Sequence, residues 1–559
     1  AGMGEEGIFA RPGEGEHLFN GIDVSEFREA KEKAFYLLTL DLNSICQSMQ
    51  IKNPDSLITF EKINPEKMLS NYAECAHGLA PGDTQAYTRL FWETNVFAKW
   101  EYMATTPQQN SNMYSGKTKI ILNPNTIRRS DCLGFRYDGT FAHGKKGVLV
   151  GKMRNLPQTF YYGNLFDNNV HVIIPNKEKH RDALWCFFEH GDVASKVRKI
   201  DQKLDVTASA IVKVPFDLEH WQRVAAEKYP HGLPKPYSDD PTQWLFHGHP
   251  CGSVVFNEKT GLLEQGPLRI DETVLQVAVA RLLGYRWPAE LDEKMELSDE
   301  SRHWVKKSAE LLPFADADGI VCLPSVRGEA PAAERLLDLL VASYGEAWQM
   351  DILSRLLEQV DHSGKTLETW LREKFFRQHC RLFHQRPFIW HIWDGLRDGF
   401  AALVNYHQLD RKNLETLIYT YLGDWISRQK QDLDRKIDGA AEKLAAAEGL
   451  QRRLELILEG EEPYDIFIRW KPLEKQPIGW EPDLNDGVRL NIRPFLTVPT
   501  VGLKDAGVLQ VRPGIHWRQD RGKDVPSAPW YHLFKGKRIN DHHLTLKEKQ
   551  AARKAAADK

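Results

Sequence analysis

Apolar and polar residues follow two different periods along this chain, and the change of period divides it. From 61 to 215, short runs rich in Val, Ile, Phe and Tyr are bounded by Gly, Asn and Pro: KTKIILNPN, GVLVGKM, QTFYYGN and NNVHVIIPN. Such runs between turn formers predict strands. The region closes on HRDALWCFFEHGDVASKVRKIDQKL, apolar at Leu184, Trp185, Phe187 and Phe188, which predicts one helix. Its Lys196, Arg198, Lys199 and Lys203 stand at spacings that can share a helical face. A mixed domain of strands with a closing helix is the simplest account of this region.

On either side the texture is helical. Residues 1–60 read as the end of a preceding domain and a linker, with a helix opening at Ser25 and ended by Asn53-Pro54-Asp55. Residues 216–270 begin with a short helix and continue through a stretch with five prolines between 230 and 250, which predicts a connector wrapping a surface. From 271 to 480 the 3.6-residue period dominates, in ETVLQVAVARLLGYRW, AAERLLDLLVASYG, WQMDILSRLLEQV and LETWLREKFFRQHCRLF. The longest periodic stretch is 412–459, where Leu414, Ile418, Tyr421, Trp425, Leu433, Ile437, Ala440, Leu444, Ala447 and Leu454 approximate a coiled-coil seam. One continuous helix there would extend about 70 Å, and an antiparallel hairpin is the plainer alternative. Residues 481–559 form a basic C-terminal segment ending in LTLKEKQAARKAAADK, a solvated basic helix or frayed tail. The predicted fold class is α+β: a mixed α/β domain followed by a mostly α-helical spacer with a long coiled-coil-like helix.

Composition narrows the classes. The chain has 559 residues, 42% hydrophobic and 27% charged, which is globular rather than disordered. No window approaches 18 uncharged apolar residues, and no basic flank precedes an apolar stretch near the start, so neither a membrane span nor a secretory signal is expected. Seven scattered cysteines without a C-x-x-C pair fit a reducing, cytoplasmic setting. The Gly-rich opening AGMGEEG precedes any apolar periodicity, and leads us to expect the C-terminal piece of something longer.

The net charge of −3 hides segregation. Lys117 to Arg154 holds nine basic and two acidic residues, and Lys504 to the end holds 13 basic and six acidic, a net of +7 in each. The rest must carry −17, so two basic stretches stand on an acidic body. Phosphate contact with nucleic acid is the functional reading, and two solvated surfaces the bland one.

Most familiar chemistry is missing. No G-x-x-x-x-G-K-[ST] occurs, the G-x-G at Gly13 and Gly15 follows no strand, and no His-x-Glu with P-C-x-x-C is present. His247, His249 and Cys251 place three possible metal ligands within five residues, but a loop before a turn explains them as well; Asp541-His542-His543 is equally weak. Asp292-Glu-Lys294 and Asp434-Arg-Lys436 match the end of an acidic nuclease motif, as any charged helix can. Phe91, Trp92 and Trp100 beside the following basic stretch suit base stacking, with core packing the commoner use.

Longer strings carry more. FWETNVFAKWEYMATTP, GKKGVLVGKMRNLPQTFYYGNLFDNNVHVIIPN, ALWCFFEHGDVASKVRKIDQKLDVTASAIVKVPFDLEHWQRVA, RPFIWHIWDGLRDGFAALVNYHQLDRKNLETLIYTYLGDWI, DGVRLNIRPFL and RGKDVPSAPWYHLFKGKRINDHHLTLKEKQ follow one another in order. Together they resemble the C-terminal half of large S-adenosylmethionine-dependent, adenine-specific DNA methyltransferases, the class found in type IIG restriction-modification and in BREX- or DISARM-like phage defence. The resemblance implies that 61–215 is a target-recognition domain and that the helices of 271–480 are a spacer. It implies double-stranded DNA as partner, with other defence-system subunits possible and no membrane. Family members bind S-adenosylmethionine at a Gly-rich loop and the flipped adenine at an Asn-Pro-Pro-aromatic tetrapeptide. Asn53-Pro54, Asn64-Pro65 and Asn123-Pro124 lack the second proline and the aromatic. The cofactor is therefore expected on the parent enzyme outside this chain, with no catalytic, cofactor or metal residue within it. Arg128, Arg129, Lys145, Lys146, Lys152, Arg154, Lys199 and Lys203 are the candidate DNA contacts. The alternative is a non-catalytic specificity or scaffold subunit that docks on a separate methyltransferase or nuclease through 412–459.

Overall fold

In the computed structural model the residues described are 17–51, 67–95, 99–107, 113–127, 134–516 and 543–558, apart from single positions at 23, 25, 26, 28, 202, 469 and 504. They form two compact units. One comprises the described residues within Ala1–Leu79, Thr105–Ser115 and Tyr137–Leu233; the other comprises those within Ala80–Ala104, Gly116–Arg136 and Pro234–Lys559. The segment 61–215 thus contributes to both.

The first unit is built on a four-stranded antiparallel sheet of β1 (Ala73–His77), β2 (Gly147–Gly151), β3 (Gln158–Tyr161) and β4 (Val170–Pro175), in the order β1-β4-β2-β3. The Val and Ile of β2 and β4 run continuously rather than alternating because both strands are buried along their whole length. Helix α1 (Arg181–His190) buries Ala183 to Phe188, and Phe187 meets Trp221 of α3 (Leu218–Lys228) edge-on at 5.6 Å. Burying each such aromatic contributes about 2–3 kcal/mol.

The single closing helix expected here is two. After α1 the chain passes Gly191, where a Cβ would come within 2.4 Å of the Phe187 carbonyl, and Asp192 at φ 48°, before α2 (Val193–Ile200) begins. Lys203 therefore lies beyond the helix whose face it was expected to share. Nearer the start, the helix expected from Ser25 spans Ala30–Thr39 and gives way to the strand Asn43–Cys46, paired with Leu18–Gly21; Ser25 lies outside the described residues.

Part of the connector expected to wrap a surface lies inside the second unit instead. Residues 241–254 are buried almost throughout, including Trp244, Phe246, His247 and Cys251. Buried irregular backbone needs partners, and Arg269 supplies them by donating to the carbonyls of Gly252 (2.9 Å), Asp239 (2.8 Å) and Pro250 (2.9 Å).

Helices α4 (Val274–Leu282) and α5 (Ala332–Tyr344) follow the expected periodicity. The spacer, expected to be mostly α-helical, also encloses a sheet of β5 (Ile320–Cys322), β6 (Ile389–Trp393) and β7 (Ala401–Asn405), antiparallel in the order β5-β7-β6. Of the two readings of 412–459, the structure has the antiparallel hairpin and not one helix of about 70 Å. A helix starting at Arg411, π-helical over Thr416–Leu422, runs through α6 (Gly423–Asp434) and stops where Lys436 and Gly439 take φ values of 58° and 78°. The chain returns as α7 (Ala440–Glu459), tied to α6 by Lys430 and Glu448 at 3.3 Å. The apolar period carries on through the turn, so Leu433 and Ile437 end up 43% and 55% exposed.

The terminal α8 (Leu546–Ala557) opens on a Thr545/Glu548 capping box and is docked along one face. Its Lys549 is fully buried, 3.5 Å from Asp465, which also lies 2.6 Å from His543 Nδ1 and accepts from the Leu544 amide at 3.1 Å. Among the described residues no helix is long and apolar enough to cross a membrane.

Candidate nucleic-acid interface

The candidate cations of the first unit fall at the two ends of β2. At its start, Lys145 Nζ lies 5.7 Å from the Phe141 ring centroid and Lys146 Nζ 4.6 Å from that of Tyr162. The Tyr162 hydroxyl is in turn hydrogen-bonded to that of Tyr114 at 2.9 Å. Six residues of extended chain separate Lys146 from Lys152, about 20 Å, so the two pairs cannot touch one ligand group.

At the far end the turn joining β2 to β3 carries Lys152 and Arg154. It is tight: Gly151 donates to Pro157 O at 2.8 Å, Leu156 donates to Met153 O at 3.2 Å, and Arg154 and Leu156 take φ values of 59° and 51°. Left-handed backbone costs a non-glycine residue about 1 kcal/mol and persists only where surroundings hold it. Leu156 is buried, which anchors the turn from below.

The second element is the loop after α2. Asp201 orders it by accepting from the amides of Lys203 (3.0 Å) and Thr207 (3.3 Å). Arg198, in the last turn of α2, joins loop to turn: its guanidinium donates to the carbonyls of Lys203, of Leu204 at 3.4 Å and of Arg154 at 3.1 Å. Val206 completes the seam, its amide donating to Lys152 O at 3.1 Å and its carbonyl lying 2.9 Å from His171 Nε2 on β4. Burial pushes His171 down to about 4, so at neutral pH the ring is uncharged and its Nε2–H donates to Val206 O. Burial likewise pushes the neighbouring Cys75 thiol up to about 12 against the pull of Lys152, which leaves it inert as a nucleophile.

The structure therefore joins the backbones that carry Lys152, Arg154 and Lys203, with Lys199 one position beyond Arg198 on α2, and leaves Lys145 and Lys146 as a separate pair. Lys203 and Arg154 are exposed, while Lys152 and Lys199 are half-buried. Asp201 and Asp205 are the nearby acids in the loop sequence, and Asp201 is committed to backbone amides. Arg128 and Arg129 lie outside the described residues. Sequence reasoning passed over Arg198 as a joint, since its acceptors are carbonyls up to 44 residues away.

Other sequence candidates have structural duties. Lys117, counted in the basic stretch, is 1% exposed, and burial pushes its ammonium down to about 7. Phe91, Trp92 and Trp100 are buried, with the indoles donating to Arg386 O (3.0 Å) and Asn485 Oδ1 (2.7 Å), so they are no base-stacking platform. His247 Nδ1 accepts from the His249 amide at 3.0 Å, His249 Nδ1 accepts from the Gly252 amide at 3.1 Å, and Cys251 Sγ points at Ser343 O. No group of three or more His, Cys, Asp or Glu is placed to hold a metal among the described residues. Asp292 accepts from the Lys294 amide in a turn, and Asp434 closes the exposed end of α6. Of the three Asn-Pro pairs, Asn123-Pro124 is within the described residues. Its amide oxygen accepts from the Asn125 backbone at 2.9 Å as a turn cap, which does not fit a site for S-adenosylmethionine or a flipped adenine.

No family model matches the chain. Over 196 residues it is 25% identical to the adenine-specific methyltransferase BrxX of Escherichia coli O9:H4 (strain HS). The match takes in 32% of this chain and 16% of that protein, so the chain spans a minor part of the length of the curated relative it matches.

Proposed function

We propose that this chain recognises and positions duplex DNA for adenine-specific methylation in restriction-modification or phage defence. The observation that carries the reading is the joined surface of the 152–157 turn and the 201–207 loop. There a guanidinium clamp from the helix that also carries Lys199 joins the backbones of Arg154, Lys203 and Leu204, and Lys152, Arg154, Lys199 and Lys203 are the cations this reading assigns to phosphates. The partial similarity to an adenine-specific methyltransferase supports the same direction.

Chemistry on a paired adenine requires its extrusion from the stack at a cost of a few kcal/mol, which contacts to the rest of the site must offset. Turn and loop backbones already joined to each other spare binding the cost of ordering those loops, leaving only the side chains to be ordered. Lys145 and Lys146, about 20 Å away along β2, would meet phosphates roughly six base-pair steps distant at 3.4 Å each. The methyl donor S-adenosylmethionine belongs, in this reading, to the parent enzyme, as do contacts with other defence-system subunits.

A fluorescence anisotropy titration of a labelled duplex against the chain tests the reading. Lys152→Ala with Arg154→Ala should weaken binding on every sequence; unchanged affinity would remove this surface from the interface. A second reading, a non-catalytic specificity or scaffold subunit for a separate methyltransferase or nuclease, draws on the exposed Leu433 and Ile437 at the tip of the α6–α7 hairpin. It requires that Leu433→Ser with Ile437→Ser abolish a stable complex with such a subunit.

A further inference from the structure

Two large apolar side chains project from the basic surface just described. Met153, between Lys152 and Arg154, is 49% exposed, and Leu204, next to Lys203, is 70% exposed. They do not stand out through slackness in their loops. Arg198 Nη2 is hydrogen-bonded to both Arg154 O and Leu204 O, so the backbones bearing the two side chains are held by one nitrogen atom. The buried Leu156 and the Val206 seam fix each loop from beneath. The pair is thus presented on backbones joined by the Arg198 clamp, with Lys152 and Arg154 flanking Met153 in sequence and Lys203 preceding Leu204.

Resting on the DNA-binding reading above, we propose that Met153 and Leu204 form an apolar wedge that enters duplex DNA between adjacent base pairs and kinks it. The surrounding cations hold phosphates on both sides. Those cations call for an anionic partner. Two apolar side chains suffice for an inserted wedge, whereas lying on a membrane takes a long apolar face. Side chains of this type, Met and Leu among them, unstack base steps when phosphate contacts compensate. Unstacking is easiest at pyrimidine–purine steps and hardest in A-tracts, so the wedge reads sequence through deformability, without a base-edge contact.

The test uses the whole chain and two duplexes of about 30 base pairs, one with a central TA step and one with a central A-tract. Both carry donor and acceptor dyes at their ends. Wild type should bind the TA duplex more tightly and raise its energy transfer by bending it. Met153→Ser with Leu204→Ser should lose about tenfold in affinity for the TA duplex, lose the bend and lose the preference, with the salt dependence unchanged. Lys152→Ala with Arg154→Ala should instead flatten the salt dependence. Both wedge positions are exposed, so thermal melts of the variants should match wild type. A double-serine variant that binds and bends like wild type overturns the wedge and leaves the DNA reading intact. Failure of wild type to bind either duplex overturns both. Flotation on anionic phosphatidylserine vesicles that depends on the two residues, with no duplex bending, overturns the wedge in favour of a membrane contact.

Discussion

Replacing Arg198 by lysine separates geometry from charge. The guanidinium makes three bonds to backbone carbonyls from a planar fork, and a lysine ammonium at the same place keeps the charge but cannot span all three. On a partly exposed surface each such bond is worth about 0.5–1 kcal/mol net, so the clamp holds turn and loop together by roughly 1.5–3 kcal/mol. Once it is lost, DNA binding must order two loops that the wild type presents ready-made. Arg198→Lys should then weaken duplex binding about 10- to 100-fold, close to the loss in Arg198→Ala, with little change in the slope against salt. Hydrogen exchange should speed up at 152–157 and 201–207 in both variants while β4 stays protected. A lysine variant with wild-type affinity and wild-type exchange would show that Arg198 acts as a cation alone, and the joined surface would lose its basis.

Other expectations concern the second unit and the buried ions. Burial raises Asp465, but the His543 hydrogen bond and the Lys549 charge outweigh it and hold the carboxyl below its ordinary 3.8. Its stabilising contribution is complete above that value and fades as pH falls through the depressed one. Asp465→Ala leaves Lys549 buried without its counter-charge and should cost about 3–5 kcal/mol in a urea melt, with a flatter acid limb. Burial depresses Lys117 from 10.5 to about 7, so the unfolded state binds more protons between those values; stability should rise with pH across that window and not in Lys117→Met. In the α6–α7 hairpin, Leu454→Ala should cost about 2–5 kcal/mol, and Leu433→Ser or Ile437→Ser less than about 0.5. A large penalty at either turn position would favour one continuous helix.

Local pattern revealed the strands best. GVLVG and VHVIIP are β-branched runs bounded by turn residues, and they lie where the pattern put them, at β2 and β4. IWHIW and AALVN were equally readable as buried strands, yet neighbouring helical periods absorbed them. Breaks set by backbone conformation were harder to see. Neither Gly191-Asp192 nor the 436–439 turn interrupts the apolar period, so pattern alone continued each helix through them. The irregular 241–254 stretch carries the pattern of a loop, and loops normally lie on the surface; its backbone is satisfied inside by the Arg269 fork, a tertiary partner that no local pattern shows. The candidate site was legible residue by residue but not as an arrangement. Lys145, Lys146, Lys152 and Arg154 sit within ten positions, and only the length of β2 sets them apart as two groups.

The central claim is that the clamped surface of turn and loop holds DNA by its phosphates. Its most direct test is duplex affinity measured by anisotropy from about 50 to 200 mM salt. With Lys152, Arg154, Lys199 and Lys203 each neutralising one phosphate, log affinity should fall against log salt with a slope of about −3.6 or steeper. Removing Lys152 and Arg154 together should lower that slope by about 1.8. A flat response in the wild-type chain would contradict the account.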